Sequence, residues 1–413
     1  MSGDGSSADE QARLELSLVA EPGDPRIATL VDALGGVETR RAIVAGLPQL
    51  GAVSARWRDG LVGEAPARAR RLLADARAGA PASGLRWVCP GSAEWPTSLD
   101  DLSHAEPLQR LGGRPLGLWV RGPMSLAAAT EQPAVAVVGA RAATSYGISV
   151  AGDIGAWCAD RDCTVVSGAA LGIDVAAHRG ALAVRGRTVA VLACGVDVAY
   201  PRAHDALLAR IATDGLVVSE LSPGTTPTRV RFLARNRLIA ALSAGAVLVE
   251  AAHRSGALNT LNWAGRLGRV TMGVPGPVTS AASSGVHQLI RDGGAQLVTG
   301  GDEVLELVGA VGAHITTVAR GPETLLDLLP EATGSVLEIL HPGTCLGAST
   351  IASRAGIAVG DAIRELAALR AAGHAESTSE GWRLTRSAAR ALRHHPGGAG
   401  AQQTIATGVR NPP

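Results

Sequence analysis

Six short apolar runs recur between residues 134 and 310: Ala134–Val138, Thr164–Val166, Thr188–Leu192, Leu216–Val218, Ala246–Val249 and Val270–Gly273. Each is rich in β-branched residues and lacks polar alternation, the pattern of a strand covered on both faces. Segments such as Gly147–Asp160 and Asn236–Ser243 lie between them and have the length and periodicity of crossover helices. Strands alternating with helices in this way predict an α/β fold built on a doubly wound parallel sheet. Hydrophobic residues at 46% against 18% charged exclude wholesale disorder. Aromatics are only 2%, so Ala, Val, Leu and Ile must fill the core.

The flanks have a different texture. Residues 1–8 read as a disordered tail, and 9–80 as a helical module. In that module Ile27, Leu30, Val31 and Leu34 share a helix face before Gly35-Gly36 stops it. Short helices with Gly turns suit a helix-hairpin-helix (SAM-like) module, and contact with DNA or a cap on the next domain are both open roles. Residues 81–130 form a connecting segment rich in Pro and Trp, with one strand expected near Leu116–Val120. The sheet domain spans 131–310 and a linker 311–324. Three helices and a β-hairpin closing on Trp382 make 325–386 a winged-helix candidate, and 387–413 a second disordered tail.

All 38 basic side chains are Arg, and the formal net charge is +1, so any nucleic-acid signal has to be local. Five dispersed Cys, without C-x-x-C or zinc spacing, suit a reducing compartment. The polar, acidic start is unlike a signal peptide, and no apolar run approaches the roughly 20 residues needed to span a bilayer. The expectation is a cytoplasmic protein with no membrane, metal or cofactor site.

Ligands of an open parallel sheet bind at the carboxyl ends of its strands. The first run ends in Gly139-Ala140-Arg141 and leads to Thr144-Ser145-Tyr146-Gly147. This is not G-x-G-x-x-G, so no dinucleotide is indicated. Gly139 allows close backbone approach, Thr144 or Ser145 can cap the helix, and Arg141 adds a fixed charge: a candidate phosphate cradle. The second run ends in Gly168 and continues to Asp174 and His178, one helical turn apart. That pair is either a helix cap or an acid/base couple, capping being the commoner use. Tyr200-Pro201-Arg202 follows the third run. After the fourth, Arg229, Arg231, Arg235 and Arg237 fall within nine residues, and the chain's single Phe, Phe232, sits among them. Arg forks beside an aromatic ring suit phosphate contact combined with base stacking, as single-stranded nucleic acid requires.

These residues also carry a resemblance. V-V-G-A-R-x-x-T-x-Y-G, V-V-S-G-A-A-L-G-I-D, R-N-R-L-I-A-A-L-S, R-S-G-A-L-N-T and V-P-G-P, in this order, resemble the DNA-processing protein DprA (Smf) family over roughly residues 130–310. The resemblance implies an extended Rossmann-like fold that is not an enzyme, binds single-stranded DNA and loads the RecA recombinase onto it in natural transformation or recombination. It also implies a homodimer. Carried over residue by residue, Gly139 and Gly168 line a phosphate pocket. Arg141 is the arginine of the family's Gly-Ser-Arg, Arg235, Asn236 and Arg237 form its Arg-Asn-Arg element, and Arg202 follows the Tyr-Pro pair. Ala140 stands where Ser is usual, Leu233-Ala234 where Pro follows Phe, and His204 where Asn is common.

Two other classes compete. A nucleotide-processing enzyme of the phosphoribohydrolase-like superfamily needs a Pro-Gly-Gly loop, and Pro223-Gly224-Thr225 lacks its second Gly. A winged-helix regulator would present Val359–Ala371 to DNA, but Asp361 and Glu365 offset Arg364 and Arg370. The binding surface expected from the sequence is therefore one solvated rim carrying both Arg141 and Arg237.

Overall fold

The computed structural model describes residues 3–47, 51–310, 312–314 and 325–393 and divides into two compact units, one up to residue 316 and one beyond it. In the first unit four helices come first: α1 (Gly3–Val19), α2 (Pro25–Ala45), α3 (Gly51–Val62) and α4 (Ala65–Ser83). Next come β1 (Arg86–Val88), β2 (Leu118–Arg121), α5 (Leu126–Glu131), β3 (Ala134–Val138), α6 (Ser145–Asp160), β4 (Thr164–Ser167) and α7 (Ile173–Ala183). They are followed by β5 (Thr188–Leu192), α8 (Asp205–Asp214), β6 (Leu216–Ser219), α9 (Arg229–Ala241), β7 (Gly245–Leu248) and α10 (Ala257–Arg266). The unit closes with β8 (Val270–Gly273), α11 (Ser284–Arg291), β9 (Gln296–Leu297) and α12 (Gly301–Val308).

The described strands form a nine-stranded sheet in the order β1-β2-β6-β5-β4-β3-β7-β8-β9, parallel from β6 to β9. β3 is central and shows why its run has no polar positions. Ala134, Ala136 and Val138 face one core with Leu238, Ile239 and Trp263, while Val135 and Val137 face the other with Ile154, Cys158 and Ala177. Successive strand residues point to opposite faces, and here both faces are covered by helices. Chain direction splits at β3, with β4 on one side and β7 on the other, so the crevice of the switch point opens at the carboxyl ends of β3 and β7.

The parallel sheet is extended at its β6 edge by the antiparallel pair β2 and β1, where Trp119 lies opposite Trp87 with ring centroids 5.3 Å apart. Leu14 of α1 and Ala69 and Leu73 of α4 share a core with these Trp residues and with Ala190 and Leu192 of β5. The N-terminal helices thus cap the sheet within one packed body. The tail expected at residues 1–8 is instead helical from Gly3, because a helix anchored by buried Leu14 and Leu16 gains a hydrogen bond with each residue added at its end. At the Gly pair α2 does not end but kinks at Gly35, whose φ is +77°.

The second unit comprises α13 (Glu331–Ile339), α14 (Ala348–Ala355), α15 (Val359–Ala371), the antiparallel ribbon β10 (Ala375–Thr378) and β11 (Gly381–Leu384), and α16 (Arg386–Arg393). Val336, Leu337, Ile351, Leu366, Leu369 and Leu384 form its core. Helix α16 replaces the start of the expected C-terminal tail, since Ala388 and Ala389 are buried in that core; residues 394–413 lie outside the described residues, as does most of the expected linker. Among the described residues no helix is long and apolar enough to cross a membrane, no cluster of metal-ligating side chains occurs, and the cysteines Cys89, Cys158, Cys163, Cys194 and Cys345 are free.

Candidate nucleic-acid interface

At the switch point Val138 leads into Gly139, and the Ala140 N–H donates to the Glu250 carbonyl across the crevice at 2.7 Å. Thr144 is the N-cap of α6, as the sequence suggested. Its backbone N–H and its hydroxyl both donate to the buried Glu250 carboxylate, at 2.9 and 2.6 Å. A side chain at Gly147 would run into that same carboxylate. The helix N-terminus, where a doubly wound fold commonly receives a phosphate, is thus filled from within by the chain's own anion. Of the expected cradle Arg141, Thr144 and Ser145 are exposed, while Gly139 and Ala140 are half-buried. Nothing local in the sequence reveals that Glu250, directly after the Ala246–Val249 run, closes on a helix 106 residues away.

Below the next loop lies a buried polar group. Asp174, in the first turn of α7, accepts from the Gly168 and Ala170 N–H groups of the preceding loop at 3.1 and 3.3 Å. It ties down that loop and does not cap the helix, whose N-cap is Gly172. Gly168 has no side chain because the Arg235 guanidinium occupies that space. Arg235 is 6% exposed and donates to the Val191 carbonyl at 2.5 Å. Burial lowers its pKa to about 10, against the opposing pull of Asp174, so it stays charged at neutral pH; burial raises the pKa of Asp174. His178 has no hydrogen bond to Asp174; it pairs with the Thr188 hydroxyl at 2.7 Å, and burial drops its pKa to about 3, keeping it neutral. Asp174 and His178 therefore do not form the acid/base couple that was one reading of their spacing.

Helix α9 divides the Arg-rich segment in two. Thr228 caps it, accepting from the Arg231 N–H. In the first turn Arg229 is exposed, Arg231 binds Glu21 at 2.9 Å, and Phe232 is half-buried. Asn236 is buried and donates to Asn259 Oδ1 at 3.2 Å. Arg237, expected on the solvated rim, is instead completely buried. It makes a two-pronged ion pair with Glu220 at 2.8 Å on each prong and donates to the Gly113 carbonyl at 3.0 Å. The cause is that α9 is covered on every side after its first turn. Positions 234–241, more than two turns of helix, are all buried, and the Glu220 carboxylate offsets the cost of burying the Arg237 charge. Arg237 joins α9 to the end of β6 and to the loop before β2.

What reaches solvent is a smaller cluster. The Arg141 guanidinium lies 4.8 Å from the centre of the Phe232 ring, that of Arg235 5.9 Å from it, and Tyr200 packs on Phe232 at 5.7 Å, tilted by 52°. Tyr200 is 45% exposed, and Arg202 two residues on is exposed without an ion pair among the described residues. Three strand ends, those of β3, β5 and β6, thus converge on one aromatic platform with a free cation above it. Tyr200 was not singled out as a site residue; its scarcity as one of two Tyr in the chain was the available signal.

A family model described as DNA recombination-mediator protein A matches residues 86–309, from β1 to the end of α12, and so includes every rim residue above. The chain is 45% identical over 385 residues to the putative DNA processing protein DprA of Mycobacterium tuberculosis, covering 91% of this chain and 94% of that one. It is 40% identical over 207 residues to the DNA processing protein DprA of Streptococcus pneumoniae, 50% of this chain and 71% of the relative. The X-ray structure of the Streptococcus pneumoniae protein aligns with a TM-score of 0.58 at 29% identity, over 72% of this chain and 96% of that one. With the Rossmann-like sheet, the strand-end motifs and these matches in agreement, the chain belongs to the DNA recombination-mediator protein A family.

Proposed function

We infer that this chain binds single-stranded DNA on the carboxyl rim of its sheet and delivers it to the RecA recombinase in the cytoplasm, acting by binding and not by bond-breaking chemistry, as a homodimer. The observation that carries the binding reading is the exposed Arg141–Phe232–Tyr200 platform. Unpaired bases can stack on such rings while Arg meets phosphate; a duplex hides the base faces. RecA delivery and the homodimer rest on the family resemblance. A nucleotide-cleaving reading loses its groups in turn: Glu220 is committed to Arg237, Asp174 to loop amides, Glu250 to Thr144. On α15, Asp361 pairs with Arg364 and Glu365 accepts from the Thr333 hydroxyl, which leaves a mixed face ill-suited to a polyanion.

The test is a gel shift with single-stranded and duplex oligonucleotides of equal length, with and without RecA. The expected result is retention of the single strand, weaker retention of duplex, and a slower complex when RecA is added. Equal affinity for the two forms at matched salt would refute the reading, as would release of free base from a nucleotide.

A further inference from the structure

The aromatic residues of this chain are few and unevenly placed. Of the seven Trp, Trp57, Trp87, Trp95, Trp119 and Trp263 are buried, Trp382 is half-buried against the core of the second unit, and Trp157 is exposed far down α6. The single Phe and both Tyr, by contrast, all lie at the carboxyl edge of the sheet. Phe232 and Tyr200 belong to the platform described above. Tyr146 does not. It stands in the first turn of α6 and its hydroxyl donates to the Pro275 carbonyl at 2.6 Å, in the loop that follows β8. That bond ties the ring to the far side of the switch point, where it packs beside Gly276 and stays 40% exposed. The neighbouring loop after β7 presents His253 and Arg254, both exposed and with no ion pair or side-chain hydrogen bond among the described residues. Val278, 90% exposed, lies on the same β8 loop.

We propose that Tyr146 with Arg254 is a second stacking station for the same single strand. This rests on the reading of the rim as a single-strand site and extends it past the switch point. The β3–α6 loop serves both stations, Arg141 reaching the Phe232 platform and Tyr146 the β8 side. Five strand spacings separate β6, which leads to Phe232, from β8, about 24 Å, the reach of roughly seven stacked nucleotides. The strand passes over the Thr144–Glu250 closure, which offers it no anion site, so its attachment there depends on a base face meeting an aromatic ring and on a solvated cation. Aromatic stacking is tolerant of sequence, so the strand is held without base preference.

Tyr146 has a second possible use, as a clamp for the β8 loop through its hydroxyl, and two variants separate the two uses. Tyr146→Phe keeps the ring and loses the hydroxyl bond; Tyr146→Leu loses the ring. Binding is measured to homothymidine strands of about 4 and about 16 nucleotides. The expected result is that Tyr146→Leu weakens binding of the long strand about 5- to 100-fold, leaves the short strand at the Phe232 platform unchanged, and that Tyr146→Phe behaves as wild type. Photocrosslinking of a strand carrying 5-bromodeoxyuridine should then label peptides containing Tyr146 and Phe232. Labelling confined to the Phe232 peptide, with unchanged long-strand affinity in Tyr146→Leu, overturns this inference and leaves the platform standing. Equal losses in the Leu and Phe variants with lowered melting temperature also overturn it, in favour of the clamp. Failure of the wild-type chain to bind any single strand overturns both readings together.

Discussion

The first turn of α9 and the turns after it carry the same residue types to opposite fates. Arg229 is solvated and Phe232 opens toward Arg141 and Tyr200, while Arg237, one and a half turns on from Phe232, is sealed against Glu220 and the Gly113 carbonyl. A helix end docked on a sheet exposes its first turn and buries the rest, so position along the helix decides whether an Arg can meet a ligand. A dense basic run is therefore poor evidence for a continuous basic surface. In this protein the exposed cluster is drawn from three strand ends that each contribute one or two groups, and the basic run supplies mainly internal ties.

Removal of Arg237 probes that contrast most strongly. Arg237→Ala leaves Glu220 buried and unpaired, with an expected cost of about 3–5 kcal/mol in folding stability, read from denaturant or thermal unfolding. Pairing Arg237→Met with Glu220→Leu should recover much of that loss, since an apolar pair replaces a desolvated one. A melting temperature unchanged by Arg237→Ala, together with weakened DNA binding, would erase the distinction between the two parts of the helix.

Phe232→Ala is expected to act the other way. Loss of one stacking face should cost about 1–3 kcal/mol of single-strand affinity, seen by titration, with a smaller change in unfolding. A strand bound as tightly as before would relocate the bases away from the platform.

The buried side of the rim has its own signature in pH. His178 titrates near 3 when folded and near 6.5 when unfolded, so the unfolded chain takes up the proton first as pH falls. Stability is complete above about pH 6.5 and lost progressively toward pH 3, by about 1.4 kcal/mol per pH unit in the steep part. His178→Asn, which retains a donor for the Thr188 hydroxyl, should flatten that slope by the same amount in unfolding midpoints measured across pH. An unaltered slope would mean the imidazole is solvated.

The smallest effect belongs to the most exposed group. Arg141→Ala should reduce the slope of log affinity against log salt by about 0.7, one single-strand phosphate, without altering the melting temperature. It should do so equally on different base sequences, since phosphates carry no sequence. An unchanged salt slope would move the phosphate path off the β3 loop.

Apolar runs without alternation were enough to establish the parallel sheet, because a strand buried on both faces has no polar position to spare; β3 through β8 lie close to where those runs stand. The cap of α6 was also local, Thr144 accepting from the Gly147 amide three residues on, whereas Asp174 binds the loop before α7 and caps no helix. Gly139, Gly168 and Arg141 likewise stood out by their places at strand ends. Three things had no local signature. The antiparallel pair β1 and β2 joins segments whose pairing depends on the edge β6 offers them. The closure of the α6 N-terminus needs Glu250 from a strand that becomes a neighbour only when the chain direction splits at β3. The division of the Arg residues into solvated and buried follows from how α9 docks on the sheet. Composition and short-range pattern determine which elements form and what they carry, since those depend on each residue's own hydration and on neighbours within a turn. Only the packed structure decides which charge finds an internal partner and which is left exposed to solvent, because burying an Arg in a low-dielectric interior is costly without partners, and those of Arg237, Glu220 and the Gly113 carbonyl, lie 17 and 124 residues away in the chain.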